Sequence, residues 1–343
     1  MQKKLSEIPF SVLDLATIIE GDGSPGPAFA RSLSFARQAE SLGYTRYWFA
    51  EHHNMESVAS AATAVLAGYV ASGTHTIRVG SGGVMLPNHA PLVIAEQFGT
   101  LASLYPNRID LGIGRAPGTD PVTSHALRRN LTGDVNQFPN DVIELLNYLG
   151  DRDPEAKIRA IPGENTHVPV WLLGSSTFSA QLAGMLGLPF AFASHFAPAQ
   201  LMDAMAVYRQ HFKPSAFLQQ PYAMACVNVI AAESDEEAAS MATSFYQLAL
   251  GLFRNDRRPL PPPVASMDDI WTEREKLGVM QMTAYSFLGT TDTLQKQLQS
   301  FLDTTGVDEI MTASHIYSVE KKQRSMELVA QLFKKRDQAA AVQ

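Results

Sequence analysis

The chain has 343 residues, 45% hydrophobic and 18% charged, with a formal net charge of −7 at pH 7 and a single cysteine. That composition suits a soluble protein with a large buried core and excludes a nucleic-acid surface, since no basic run is long enough to track a phosphate backbone. One thiol rules out an intramolecular disulfide or a thiolate metal cluster. No apolar stretch reaches the roughly 18 residues of a membrane span, and none follows Lys3-Lys4 as a leader would require, so a cytoplasmic protein is expected.

Taken in chain order, eight apolar segments read as strands: Phe10–Leu15, Tyr44–Phe49, Ile77–Val79, Ile109–Ile113, Val168–Leu173, Phe190–Ala193, Ala223–Ile230 and Glu309–Thr312. Most are short and unalternating, as strands buried on both faces should be. Helical patterns lie between them. Ala28–Leu42 stops at Gly43, Ser60–Ala71 is dense in small residues, and Ala95–Leu104 ends before Tyr105-Pro106-Asn107. Ser179–Leu186 stops at Gly187, and Thr291–Leu302 follows Gly289. This alternation predicts an α/β protein, a (β/α)8 TIM barrel forming one domain over residues 1–343. The rhythm breaks between the seventh and eighth strands. There an insertion of about 254–285, with Arg257, Arg258 and Pro259-Leu260-Pro261-Pro262-Pro263, reads either as an active-site lid or as a linker. Cys226, inside Met224-Ala225-Cys226-Val227, reads as a buried structural thiol. Ala61, Ala64, Gly68 and Ala71 recur at helical spacing, a smooth face for a second copy in a homodimer or for the chain's own barrel.

A barrel of this kind carries its site beyond the carboxyl ends of its strands, so the residues there are the candidates. The second strand leads into Glu51-His52-His53, the third into Ser81-Gly82-Gly83, the fourth into Gly114-Arg115, the fifth into Gly174-Ser175-Ser176-Thr177 and the sixth into Ser194-His195. Gly174, Ser175, Ser176 and Ser179 open a helix, where free N–H groups and the helix dipole favour an anion such as phosphate. Arg115, one strand away, adds a charge-assisted contact. A plain serine cap is the other reading. Adjacent histidines on extended chain point to opposite faces, so one of His52 and His53 faces the mouth. Acid/base, cofactor-binding and structural roles all remain open there. No further ligand pattern accompanies them, and no metal is expected. The glycine runs lack the spacing of a dinucleotide fingerprint or a P-loop.

Beyond these local readings, Tyr47-Trp48-Phe49-Ala50-Glu51-His52-His53 resembles the W-x-x-EHH segment of the bacterial luciferase-like flavin monooxygenases. Val79–Pro87 resembles their third-strand run, Arg108–Arg115 the second half of their fourth-strand motif, and Gly289-Thr290-Thr291-Asp292 their late helix start. The resemblance implies a TIM barrel and reduced flavin mononucleotide, FMN, as cofactor, with O2 and a small organic molecule as co-substrates of a monooxygenase. It places His52 on the catalytic histidine, Gly82-Gly83 on a pair joined by a non-prolyl cis peptide beneath the flavin, and Arg115, Ser175, Ser176 and Ser179 on phosphate contacts. Glu51, Ser81, Gly174 and His195 complete the cofactor-binding set. Gly114 and Ser194 stand where luciferase has a reactive cysteine and a tryptophan, so light emission is not implied. With no nicotinamide fingerprint, a separate flavin reductase is the expected electron source. Two other readings compete: a dehydrogenase using the deazaflavin F420 on the same barrel, and a non-catalytic flavin-binding protein.

Overall fold

A computed structural model describes residues 3–116, 118–127 and 137–333. Nine strands are described: β1 Phe10–Asp14, β2 Arg46–Phe49, β3 Arg78–Met85, β4 Ile109–Gly114, β5 Val170–Gly174, β6 Phe190–Phe192, β7 Ala223–Ala231, β8 Ser286–Gly289 and β9 Glu309–Ala313. The helices are α1 Gly26–Leu42, α2 Thr63–Ser72, α3 Pro91–Leu104, α4 Pro121–Leu127, α5 Phe138–Leu149, α6 Thr177–Leu186, α7 Leu201–His211, α8 Asp235–Arg254, α9 Glu273–Met282, α10 Thr291–Thr305 and α11 Val319–Phe333.

Eight of the strands close a parallel barrel in the order β1-β2-β3-β4-β5-β6-β7-β9, with β9 returning to β1. These are the eight segments that the sequence marks as strands. The ninth, β8, lies outside the ring. The nine-residue β7 pairs along Met224–Asn228 with β9 and along Asn228–Ala231 with β8, so the extra strand extends the wall past the barrel's carboxyl end.

Sequence chemistry accounts for the element ends. Gly43 and Gly187 adopt φ of 84° and 63° and close α1 and α6 with backbone N–H bonds to the carbonyls of the last turn, geometry that a side chain disfavours. Thr290 caps α10 through the Thr293 amide, and Thr272 with Glu275 forms a capping box on α9. Two apolar layers result. Outside the strands, Phe10, Tyr47, Phe49, Val79, Leu111, Leu172 and Phe190 pack against the helices. Inside the ring, Leu13, Trp48, Trp171, Met224, Cys226 and Met311 fill the barrel. Cys226 is therefore a core thiol, as expected, and burial raises its pKa.

Two readings left open by the sequence can be refined. The 254–285 segment is not a structureless excursion. Arg254 ends α8, the chain then carries α9, and Met267, Trp271 and Val279 bury against Ala249 and Leu250 of α8. Of the small residues at helical spacing, Ala61 precedes α2 and is exposed, while Ala64, Gly68 and Ala71 of α2 pack toward the chain's own barrel. Ala71 is buried, and a side chain on Gly68 would meet Leu101 of α3 at 3.1 Å. The exposed apolar residues of this flank are instead Val65 and Tyr69 of α2 with Val93 and Leu104 of α3.

Candidate active site

Two different ends of the barrel carry polar groups. At the amino end, Arg46 donates to Asp110 (2.7 Å) and to Glu309 (3.0 Å), and Arg78 donates to Asp110 (2.5 Å). Trp48 Nε1 and Tyr222 Oη also donate, to Asp110 at 3.1 Å and to Glu309 at 2.9 Å. Every carboxylate oxygen there has a partner. The network plugs the barrel floor and leaves chemistry to the other end.

At the carboxyl end the polar groups are incompletely matched. Glu51, just past β2, is 2% exposed; its Oε1 takes bonds from His53 Nε2 (2.9 Å) and His89 Nε2 (2.8 Å), and its Oε2 takes the Met85 amide (3.3 Å). Burial alone would raise its pKa, but the two imidazole bonds and their charges outweigh it and hold the carboxylate ionised. The ligand atoms of Glu51, His53 and His89 lie within 4.8 Å of one another, spacing that suits a metal ion as well as the hydrogen bonds seen. Both Glu51 oxygens are thus engaged by protein groups.

His52 behaves differently from its neighbour. It is half-buried, but its Nδ1 is buried and has no partner among the described residues. Burial first, then the charges of His53 and Arg257, lower its pKa to about 4 against the opposing pull of Glu51, so the imidazole is neutral at ordinary pH. His195 beyond β6 and His315 beyond β9 repeat the pattern. Each has an unpartnered buried Nδ1, and burial lowers their pKa values to about 3 and about 4. His52 and His315 each add to the cost of charging His195, so the three rings share one region. Asn228 of β7 donates to the His195 carbonyl (2.6 Å) and to Ser286 (3.1 Å), while its own buried Oδ1 has no partner among the described residues. Four orphaned polar atoms around one mouth amount to a demand for a polar ligand.

The third-strand glycines form the side of that mouth. The Gly82–Gly83 peptide is cis, and the β3–β4 register shifts between Gly82 and Val84. A side chain on Gly82 would lie 2.7 Å from Leu13, and one on Gly83 would lie 2.7 Å from the Gly112 carbonyl. Ser81 is buried and donates to Gly112 (2.8 Å), so its hydroxyl binds the sheet. Ser194 likewise donates to the Cys226 carbonyl (2.6 Å).

Beyond β5, Ser176 sits at the N-cap of α6 in extended conformation, yet among the described residues no side chain caps the helix. Its first amides are left for something else. Ser175 is exposed, Ser176 half-buried and Ser179 buried, while a side chain on Gly174 would lie 2.6 Å from Ser179. Arg115 arrives from β4 with its guanidinium 4.1 Å over the Phe178 ring in the first turn of α6. The structure therefore assembles Arg115, Ser175, Ser176 and Ser179 in one place and His52 with His195 in another. His89, Asn228 and Arg257 belong to this end too. Sequence reasoning did not single out His89 or Asn228, because His89 lies beyond a short turn after Pro87 and Asn228 lies within an apolar strand, and it read Arg257 only as part of the 254–285 insertion.

Known proteins resemble this chain over most of its length. The profile of the luciferase-like monooxygenase family matches residues 8–309. A luciferase-like monooxygenase of Escherichia coli is 54% identical over 321 residues, 94% of this chain and 96% of the relative. N-acetyl-S-alkylcysteine monooxygenase of Bacillus subtilis is 31% identical over 331 residues, 94% and 97% of the two chains. Among solved structures, apo-MsnO8 superposes with a TM-score of 0.85 at 33% identity, covering 95% of this chain and 98% of its own. The oxygenating constituent of 3,6-diketocamphane monooxygenase from Pseudomonas putida, in complex with FMN, has a TM-score of 0.71 at 17% identity over 95% and 98%, a likeness of fold alone. The chain belongs to the luciferase-like monooxygenase family.

Proposed function

We propose that this monooxygenase uses reduced FMN and O2 to oxidise a small organic substrate, the flavin being reduced elsewhere by a separate reductase. The uncapped start of α6 supports the reading best, because Arg115 and the serines meet there in an anion cradle. Free helix amides, hydroxyls and a guanidinium together suit a phosphate monoester. Once bound, the reduced flavin supplies the electrons that activate O2. His52 and His195 would offer it neutral imidazole nitrogens, and His52 would hold or pass a proton during oxygen transfer. Gly82 and Gly83 keep a flat surface free of side chains. Glu51, clamped by His53 and His89, fixes the turn that carries His52.

FMN should bind appreciably more tightly than riboflavin, and Arg115→Ala or Ser179→Ala should weaken FMN by about tenfold or more while leaving riboflavin unchanged. Fluorescence titration measures both. Equal affinity for FMN and riboflavin, or preference for F420, overturns the reading in favour of another flavin-type cofactor. Reduction of FMN by the purified protein with NADPH alone removes the separate reductase.

We also propose that residues 1–343 act as one unit in the cytoplasm and that the protein is a homodimer. Val65, Tyr69, Val93 and Leu104 support the latter as an exposed apolar flank on α2 and α3. No described helix is long and apolar enough to cross a membrane. Sedimentation at low micromolar concentration should show a species of twice the chain mass, and a monomer alone would exclude the dimer.

A further inference from the structure

The arginines of the 254–285 segment are not equivalent. Arg254 pairs with Glu275 (2.7 Å) and Arg258 with Asp256 (2.6 Å). Arg257 between them is half-buried and makes no hydrogen bond or ion pair among the described residues. A half-buried guanidinium without an anion is costly, and such groups are usually paired.

Its position follows from a chain of backbone bonds. Leu260 exchanges bonds with the segment past β1, donating to the Ile18 carbonyl (2.9 Å) and accepting from the Glu20 amide (2.9 Å). Ile18 donates to Ser57 (2.9 Å), Ala59 donates to Ala16 (3.1 Å), and His52 donates to Ser60 (3.3 Å). Arg257 is thereby tied, three residues from Leu260, to the rim that carries His52. In the closed ring of eight strands β1 lies opposite β5. The rim segment that holds Arg257 therefore faces the α6 cradle across the mouth, and a phosphate seated in that cradle leaves the Arg257 side open. Among the described residues no carboxylate pairs with it, and the adjacent Asp256 is taken by Arg258. Glu51 is occupied by His53, His89 and the Met85 amide, and Asp14 by the Tyr47 hydroxyl (2.5 Å) and the Ala16 amide (3.0 Å). Among the mouth's other polar groups, His52, His195 and Asn228 are neutral.

We propose that Arg257 is the anion anchor of the substrate pocket, and that the substrate is a small organic carboxylate whose remote acid group docks there while its reacting end reaches His52. This rests on the flavin reading given above and adds a substrate class to it. A guanidinium–carboxylate pair supplies two parallel N–H···O bonds and rejects neutral isosteres by leaving the guanidinium unpaired.

Hexanoate and hexanamide, which differ in charge and little in shape, test it by calorimetric titration against the full-length protein with and without saturating FMN. Hexanoate should bind about 10- to 100-fold more tightly than hexanamide. Arg257→Gln should abolish that preference with FMN affinity unchanged, and Arg257→Lys should retain part of it. Equal binding of the two probes to the parent protein overturns the proposal, as does a preference that survives in Arg257→Gln. Weakened FMN with hexanoate unaffected in Arg257→Gln also overturns it, and assigns the arginine to the flavin phosphate. If FMN fails to bind at all the flavin reading falls, while the titration on the flavin-free protein still decides the role of Arg257.

Discussion

His52→Ala is expected to lower the rate of substrate oxidation by roughly 10²- to 10⁴-fold, the range typical of a lost acid/base group. Affinity for FMN should stay within about threefold of the parent, because the anion cradle lies on other strands. Oxygen consumption should continue and appear as peroxide, so the ratio of product to oxygen consumed is the decisive readout. Unchanged coupling would remove His52 from the chemistry. The same ring makes a separate stability signature. Its folded pKa of about 4 lies below the ordinary 6.5, so between those values the unfolded chain binds more protons than the native one. The stability tied to a neutral His52 is complete above pH 6.5 and is lost progressively as pH falls to about 4. His195 and His315 act in the same direction. Denaturation of parent and His52→Ala at pH 7.5 and pH 5 should show a smaller acid-induced loss in the variant. An equal loss would mean that the ring is charged or solvated in the native state.

How far such a site can be read from sequence depends on how local its parts are. The α6 cradle was legible because Gly174, Ser175, Ser176 and Ser179 fall within one turn and Arg115 ends the adjacent strand. The eight barrel strands were legible as apolar runs between glycine and proline signals. The glycines of β3 were misplaced. Gly80–Gly83 reads as a loop beyond Val79, yet the strand continues through it to Met85. Glycine is required there by a neighbour rather than by a turn, since a side chain on Gly80 would lie 2.2 Å from the Asp110 carbonyl. Strand β8 left no trace because its four residues are mostly half-buried and pair with β7 alone. The bonds of Glu51 were beyond reach for a different reason. His53 and His89 meet it from positions 2 and 38 residues away, and only packing decides which ring of an adjacent pair turns inward. The functional dependence on Arg257 has the same character, as its charge matters only once Leu260 is pinned to the β1 rim.

At the barrel floor, Asp110→Ala is expected to be the most destabilising single change, by about 3–5 kcal/mol, the usual cost of stranding buried charge. Asp110 is fully buried and accepts from Arg46, Arg78 and Trp48 at once. Removing it leaves two guanidinium groups and an indole N–H facing a cavity, with Glu309 as the remaining buried counter-charge. Burial by itself would lower the pKa of Arg46, but Asp110 and Glu309 together more than reverse this, so the arginine cannot escape by shedding its proton. For a chain of this length the loss lowers Tm by roughly 5 °C. Asp110→Asn keeps the shape and an acceptor for Trp48 and should fall between the variant and the parent. Because the floor and the mouth are opposite ends of the barrel, FMN affinity of the folded Asp110→Ala protein at low temperature should match the parent. Thermal or urea denaturation beside FMN titration separates the two quantities. Stability within about 1 kcal/mol of the parent would show that the network is replaceable by water, and a selective loss of FMN binding would show that floor and mouth are coupled through the interior layer of Trp48 and Trp171.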